Sequence, residues 1–416
     1  MKIRIFPAPV LIGILLILGF LFRLYLSSLY PHVPIFDEKS YVLFAEKLLN
    51  QFWYADCCAY TYGYPFFIAL VFKVFGINNY SVLIIVQSLI DVATALLLFT
   101  IAGNVFRNKF YSWIIFGLYL INPLTASYTG LYLSEVWGIF LLVLSLYILV
   151  VKKNTPLLFF LFGIVIGLFT FTRIMFFWWT MLFLVIVAYI ILKKRKIVSA
   201  VALTAGFLIT WIYPVISNYK TFKVIAPTPV IPVYVLSMVE VKDVVRYPGI
   251  IDDIYTVIPE DIRNLNWWIT TSSPDSKTFM EKSKPGIDNA LKYFSTHPFE
   301  YLVILGRNIL YFWDKTNLFY YEDPFYPQDK YVIRTINIIF LFLSMIGIAA
   351  FIRLKKRMEK ENLILIATLS LIFYLTIPMS FLVPEDRLTL PAYPILLLFL
   401  PLGMNLLIIH IKKIIK

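Results

Sequence analysis

Long apolar runs alternate along most of the chain with short clusters of basic residues. Runs of about 20 apolar residues match the hydrocarbon thickness of a bilayer, which a helix crosses at 1.5 Å per residue. The pattern predicts spans at roughly 8–29, 80–103, 110–125, 130–151, 156–171, 174–192, 197–216, 331–352, 362–382 and 389–411. The first run is too long for the apolar segment of a signal peptide and lacks a small-residue cleavage site, so it reads as an uncleaved span. The stretch 299–313 is also apolar, but Arg307 interrupts it, and it reads as a helix lying in the interface.

Composition agrees with the pattern: 60% of the 416 residues are hydrophobic and 15% are charged, with mean hydropathy +0.81. A water-soluble domain of this length has too little interior for that much apolar surface. The expected fold is therefore an all-α polytopic membrane protein of about ten transmembrane helices. Three modules divide it: an N-terminal membrane module over 1–216, an extracytoplasmic loop region over 217–330, and C-terminal helices over 331–416.

The net charge of +13 could be taken for a nucleic-acid footprint, but its distribution excludes that. Lys2, Arg4, Arg107, Lys109, Lys152, Lys153, the run Lys193 to Lys196, Arg353, Lys355, Lys356, Arg357, Lys360, Lys412, Lys413 and Lys416 all fall in alternate short loops. These loops hold 18 of the 37 basic residues and two of the 24 acidic ones, Glu359 and Glu361. Loops with that excess lie in the cytoplasm. The charge is an orientation signal, and it puts both termini inside. Membrane lipids are the implied partners, and no nucleic acid is.

Two regions are then extracytoplasmic, 30–79 and 217–330. The first carries Asp37 and Glu38 about eight residues after the first span, close to the membrane surface. Tyr41, Phe44, Ala45 and Leu48 follow at helical spacing, with Asp37 at the expected N-cap. A second interfacial helix opens at Gly63-Tyr64-Pro65. Transfer to a hydroxyl needs a carboxylate to accept or orient the proton of the nucleophile. The simpler reading of the pair is a helix cap followed by a solvated acid.

Other charges come out at the same depth: Glu135 one turn into the fourth span, Arg173 in a short outer turn, and Arg387 between Pro384 and Pro391. Arg23 lies in the last turns of the first span. Arginine suits a phosphate because its planar fork donates two parallel hydrogen bonds; alternatively each arginine snorkels to headgroups on its own. Asp91 lies deep in the second span and needs a partner, for which Gln87, one turn earlier, is available. Three histidines and two adjacent cysteines, Cys57 and Cys58, leave little for a metal or iron–sulfur centre. No metal and no cofactor are expected.

Several short patterns, in order, resemble the GT-C superfamily, and within it the protein O-mannosyltransferase and lipid A aminoarabinose transferase group. They are Arg23 before Asp37-Glu38, Tyr41 and Ala45; Gly63-Tyr64-Pro65; Ser134-Glu135; Arg173; Pro214 with Asn218-Tyr219; His297-Pro298 with Tyr301-Leu302; and Glu385 and Arg387 followed by Pro391, Tyr393 and Pro394. Ser217 and Leu388 depart from the family pattern, and 220–290 matches nothing in it.

The resemblance implies an inverting glycosyltransferase of the plasma membrane that uses a polyprenyl-phosphate sugar, with a lipid, glycan or protein acceptor and an extracytoplasmic active site. By matched position Asp37 would be the catalytic base or the group orienting the acceptor, and Glu38 would support it. Arg387, and secondarily Arg173, hold the donor phosphate. Glu135, Tyr41, Glu385 and His297 contact substrate. The competing reading is a transporter or flippase of lipid-linked saccharides, which calls for internal repeats and broken or charged helices at mid-membrane.

Overall fold

The computed structural model describes residues 8–55, 62–151, 155–223, 225, 295–296, 298–319, 329–354, 359–379 and 386–415. Among the described residues every regular element is helical. Cys57, Cys58, His297 and Glu385, with the whole of 226–294, lie outside them.

Helix α1 spans Ala8–Leu29, α2 Phe36–Asn50, α3 Gly63–Phe75, α4 Tyr80–Phe106 and α5 Lys109–Leu120. A short helix, Pro123–Ala126, runs into a 3-10 turn, Ser127–Gly130, and is labelled α6. Then come α7 Glu135–Val151, α8 Pro156–Thr172, α9 Phe177–Lys193, α10 Ile197–Ile209 and α11 Ile212–Phe222. The C-terminal part holds α12 Pro298–Trp313, α13 Asp329–Ile352, α14 Glu359–Thr376, a 3-10 segment Asp386–Ala392, α15 Tyr393–Leu397 and α16 Leu400–Ile415.

Starts and stops follow local chemistry. Asn79, Asn108, Asn122 and Thr155 cap the helices they precede by accepting a backbone N–H, and Pro123 and Pro156 follow their caps, where a missing N–H costs nothing. The α4 helix stops at Arg107, φ +51°.

Among the described residues, five helical stretches are long and apolar enough to cross a membrane: Pro9–Leu29, Tyr80–Phe106, Ile174–Lys193, Ile197–Thr221 and Tyr331–Ile352. A sixth is possible by joining Asp386–Leu397 to Leu400–Lys413 across a 62° bend. The stretch expected to form one last span, 389–411, is thus a bent pair. The expected spans at 110–125, 130–151 and 156–171 are shorter helices of 12, 17 and 17 residues. The first of these reaches about 18 Å, well under the hydrocarbon thickness. Asn122 and Pro123 end it, because an Asx cap followed by proline starts a new turn.

Small residues set the closest helix contacts. A Cβ on Gly163 or Gly206 would strike the backbone of the facing helix at Leu203 or Phe160, and Gly347 and Gly403 are tight in the same way against Phe399 and Leu343. So α8 closes on α10 and α13 on α16, as small residues permit where lipid gives no hydrophobic drive between helices.

The deep charge is resolved within the N-terminal module. Arg23 Nε donates to Asp91 Oδ2 at 2.6 Å, and Tyr119 Oη donates to Asp91 Oδ1 at 2.6 Å. Arg23 Nη1 also reaches the carbonyls of Gly19 and Leu120 at 2.8 and 3.0 Å. Gln87, the expected partner of Asp91, instead donates to the carbonyls of Thr129 and Leu131 and accepts from Tyr64 Oη. Arg23 therefore belongs to a buried knot with Asp91, Tyr119 and the carbonyls of Gly19 and Leu120.

Candidate active site

The N-terminus of α2, the turn before α7, the end of α8 and the 3-10 segment Asp386–Ala392 bring Asp37, Glu135, Arg173 and Arg387 together. Asp37 opens the group. It is not the cap of α2: Ile35 holds that position, extended at φ −124°. Glu38, three residues on, accepts the Ile35 N–H at 3.1 Å, so the carboxylate half of a capping box is made by Glu38. The Asp37 carboxylate is thereby released from capping. It accepts a hydrogen bond from Arg387 Nη2 at 2.6 Å, joining positions 350 residues apart. The pair keeps some access to solvent, with 31% of the Asp37 side chain and 13% of the Arg387 side chain exposed.

A second pair lies deeper. Arg173 Nη1 donates to Glu135 Oε1 at 2.7 Å and to Ser134 Oγ at 2.9 Å. Two glycines make room for it. A Cβ on Gly138 would meet Arg173 Cγ at 2.9 Å, and one on Gly63 would meet the Thr172 backbone at 2.7 Å. Glu135 Oε2 and Arg173 Nε are buried with no hydrogen-bond partner among the described residues. Buried charged groups seldom stay half-satisfied, so both atoms are open to a further hydrogen bond.

Tyrosines stand between the pairs. The Tyr41 hydroxyl is pushed up to about 12 by burial first and by the Asp37 and Glu135 charges next, while Arg173 and a hydrogen bond with Ser134 oppose this. Tyr128 is likewise pushed well up by burial, then by Asp386 and Glu135, against Arg387 and Arg173. Both phenols stay protonated near neutral pH and can donate to an oxygen.

A third cation was not foreseen. Lys315, just after α12, is buried; its Nζ donates to the Asp386 carbonyl and lies 3.4 Å from Asp386 Oδ2. Burial pulls the ammonium below the ordinary lysine range, and Asp386 and Glu135 hold it up in part. In sequence, Lys315 is one polar residue after an apolar helix, with nothing to tie it to position 386.

Glu38 lies beside Asp37 but faces inward and is fully buried. One oxygen accepts the Tyr132 N–H at 2.9 Å, and both face His32 Nε2 at 2.9 and 3.0 Å. With its lone pairs so engaged it positions the loop. Asn218 accepts from Tyr62 Oη at 2.7 Å, so α11 braces the start of α3. Of the residues singled out in sequence, the structure gathers Asp37, Tyr41, Glu135, Arg173 and Arg387. Glu385 and His297 lie outside the described residues.

No protein-family model matches the sequence, and no curated protein does. Solved structures do. The chain is similar to the Archaeoglobus fulgidus oligosaccharyltransferase tethered through a disulfide to an acceptor peptide containing the NVT sequon, with TM-score 0.53 and 14% identity over 97% of this chain and 51% of that one. It is similar also to the archaeal oligosaccharyltransferase AglB of the same organism in complex with an inhibitory peptide and a dolichol-phosphate, at TM-score 0.54, 14% identity and the same coverage. The apo form gives TM-score 0.50 and 14% identity over 97% and 52%. At that identity the likeness establishes a shared fold and nothing further. The chain spans about half the length of these structures.

Proposed function

We propose that this chain is a membrane glycosyltransferase that moves a sugar from a polyprenyl-phosphate donor to an acceptor at the extracytoplasmic face, with inversion. The observation that carries the reading is the Asp37–Arg387 contact beside the Glu135–Arg173 pair, with Lys315 behind it. Three carboxylates and three cations, drawn from distant parts of the chain, meet at one place. The archaeal neighbours, one tethered to an acceptor peptide and one in complex with a dolichol-phosphate, support a phosphate-bearing lipid and an acceptor as this chain's substrates.

The chemistry follows from the groups. The acceptor's nucleophilic oxygen or nitrogen attacks the anomeric carbon. Its proton passes to Asp37, or is oriented by it, as the bond from that carbon to the phosphate oxygen breaks. The electron pair leaves with the polyprenyl phosphate, whose growing charge the cations meet in a water-poor pocket. Arg387 is placed to exchange Asp37 for phosphate. That exchange frees the carboxylate for the acceptor when donor is bound. Arg173 and Lys315 supply deeper positive charge, and Glu135 Oε2 with the Tyr41 and Tyr128 hydroxyls bind sugar or acceptor. Ten membrane crossings, with both termini cytoplasmic, remain part of this reading and rest on the alternation of basic loops. Incubating the purified protein with labelled polyprenyl-phosphate sugars tests it. Donor hydrolysis or transfer supports the reading, and no turnover with any such donor, across lipid, glycan and peptide acceptors, overturns it.

A further inference from the structure

Two cations of the site reach it on separate pieces of chain. Lys315 stands just past the end of α12, and Arg387 is in the 3-10 segment Asp386–Ala392. One face of α13 holds both pieces. We propose that Asn337 is a positioning residue: its side-chain amide ties the end of α12 to Tyr393 and so sets Lys315 and Arg387 at the spacing that receives the donor phosphate. The inference rests on the phosphate role given to those two cations above.

Asn337 interrupts an apolar stripe. The buried side of α13 runs through Ile333, Asn337, Phe340, Ser344, Ile348 and Phe351, the spacing of a core-facing helix. The helix also lies in a stretch apolar enough to cross a membrane, Tyr331–Ile352. An amide buried there is costly unless it is hydrogen-bonded. Asn337 is buried, and both ends of its amide are engaged. Nδ2 donates to the Trp313 carbonyl at 2.7 Å, and Oδ1 accepts from Tyr393 Oη at 2.5 Å. Trp313 is the last residue of α12, so its carbonyl lacks an intrahelical partner, and Asn337 supplies one. An amide offers a donor and an acceptor together without charge. Leucine offers neither, and an ionised aspartate would turn an oxygen on the Trp313 carbonyl.

The neighbouring turns of α13 brace the same two pieces. Arg334 donates to both oxygens of Asp314, from Nε at 2.9 Å and from Nη2 at 2.5 Å. Phe340 stacks on Tyr393, with ring centroids 5.1 Å apart and planes 5° apart. Helix residues three apart share a face, so Arg334, Asn337 and Phe340 line up along these contacts. The groups they hold lead directly to the cations. Lys315 follows Asp314, donates to the Asp386 carbonyl and lies 5.9 Å from the Tyr393 ring. Thr389 Oγ1 donates to the same carbonyl at 2.7 Å, and Arg387 is the next residue.

Asn337 thus acts on the cations through the Trp313 backbone and the Tyr393 side chain. Without the amide, a buried carbonyl and a buried phenol lose their shared partner, and the end of α12 is free to shift against the 3-10 segment. A phosphate held by two cations is sensitive to that shift, because charge-assisted hydrogen bonds depend on distance and direction. The apolar tail of the same lipid is not, because apolar contact is non-directional.

The test compares binding of a polyprenyl phosphate and of the matching uncharged polyprenol to the full-length protein in nanodiscs, by native mass spectrometry. The wild type should prefer the phosphate. Asn337→Leu should lower affinity for the phosphate about tenfold, the size of one lost charge-assisted contact, and leave affinity for the polyprenol unchanged. Tyr393→Phe keeps the ring on Phe340 and removes one of the two amide bonds, so it should lose part of the same preference; it carries the test if Asn337→Leu does not fold. A role in stability alone would lower the unfolding temperature and leave the phosphate preference intact, and that result overturns the positioning role while the donor reading stands. A wild type with no preference for the phosphate overturns the donor-phosphate reading, and this inference with it.

Discussion

Arg23 and Asp91 give a prediction that can be worked from the geometry. Both side chains are fully buried. Asp91 accepts from Arg23 Nε and Tyr119 Oη, and Arg23 caps the last turn of α5 at the Leu120 carbonyl. Removing one partner of a buried ion pair leaves an uncompensated charge and costs about 3–5 kcal/mol. Arg23→Met leaves Asp91 with Tyr119 alone, and Asp91→Leu leaves Arg23 with carbonyls, so each single change should fall in that range. Simple addition would put the double variant at about 6–10 kcal/mol. Removing both charges eliminates the stranded ion, and the remaining loss is the uncapped Leu120 carbonyl, about 1–3 kcal/mol, because the Tyr119 hydroxyl keeps its hydrogen bond with Thr94. The double variant should therefore be no worse than either single one, with a coupling of roughly 3 kcal/mol or more across the cycle. Reversible unfolding in mixed micelles reads these differences. Additivity within about 0.5 kcal/mol would refute the paired geometry. A double variant as stable as the wild type but inactive would refute the claim that Arg23 is structural.

Other substitutions separate the roles at the outer site. Arg387→Ala or Lys315→Met should raise the KM for donor about tenfold or more, the size of one lost charge-assisted contact, with acceptor KM little changed; equal effects on both substrates would count against phosphate binding. Because burial pulls Lys315 below the usual lysine range, wild-type donor affinity should weaken on the alkaline side before that of Lys315→Arg, and coincident profiles would exclude a charged role for this lysine. Gly138→Ala places a methyl 2.9 Å from Arg173 Cγ, so turnover should fall several-fold; wild-type turnover in Gly138→Ala would show that the arginine's placement is unimportant. Chelation by EDTA should leave transfer unchanged, since the proposed mechanism uses protein cations alone, and loss restored by a divalent ion would overturn that.

The membrane character of the chain and the meeting of Asp37, Tyr41, Glu135, Arg173 and Arg387 were legible because depth is a one-dimensional property. Alternating basic loops assign each residue a side, and distance from a span end assigns its level. Partner choice is not one-dimensional. Asp91 has Gln87 one turn away, yet it binds Arg23, 68 positions distant, because helix packing brings α1 against α4. Lys315 gave no signal, since its counter-ion is supplied by a segment 71 residues on. The capping of α2 was misassigned to Asp37 because Ile35, an apolar cap, does not fit the usual pattern of Ser, Thr, Asp or Asn; the Glu at the third helical position was the available clue. Helix breaks at Asn122-Pro123 and at Phe399 fell within apolar stretches that hydropathy alone reads as continuous. The bend near the end of the last pair is the kind of broken helix a transporter would use, but the deep charge it would need is closed off by Arg23, Tyr119 and backbone carbonyls.

The central claim is that Asp37 handles the acceptor proton in a sugar transfer. The most direct measurement is single-turnover transfer from a labelled polyprenyl-phosphate sugar by the wild type and by Asp37→Asn, with folding of both checked by thermal unfolding. The account predicts a loss of about 10²–10⁴-fold in rate with donor binding retained. A folded Asp37→Asn protein that transfers at the wild-type rate would contradict it.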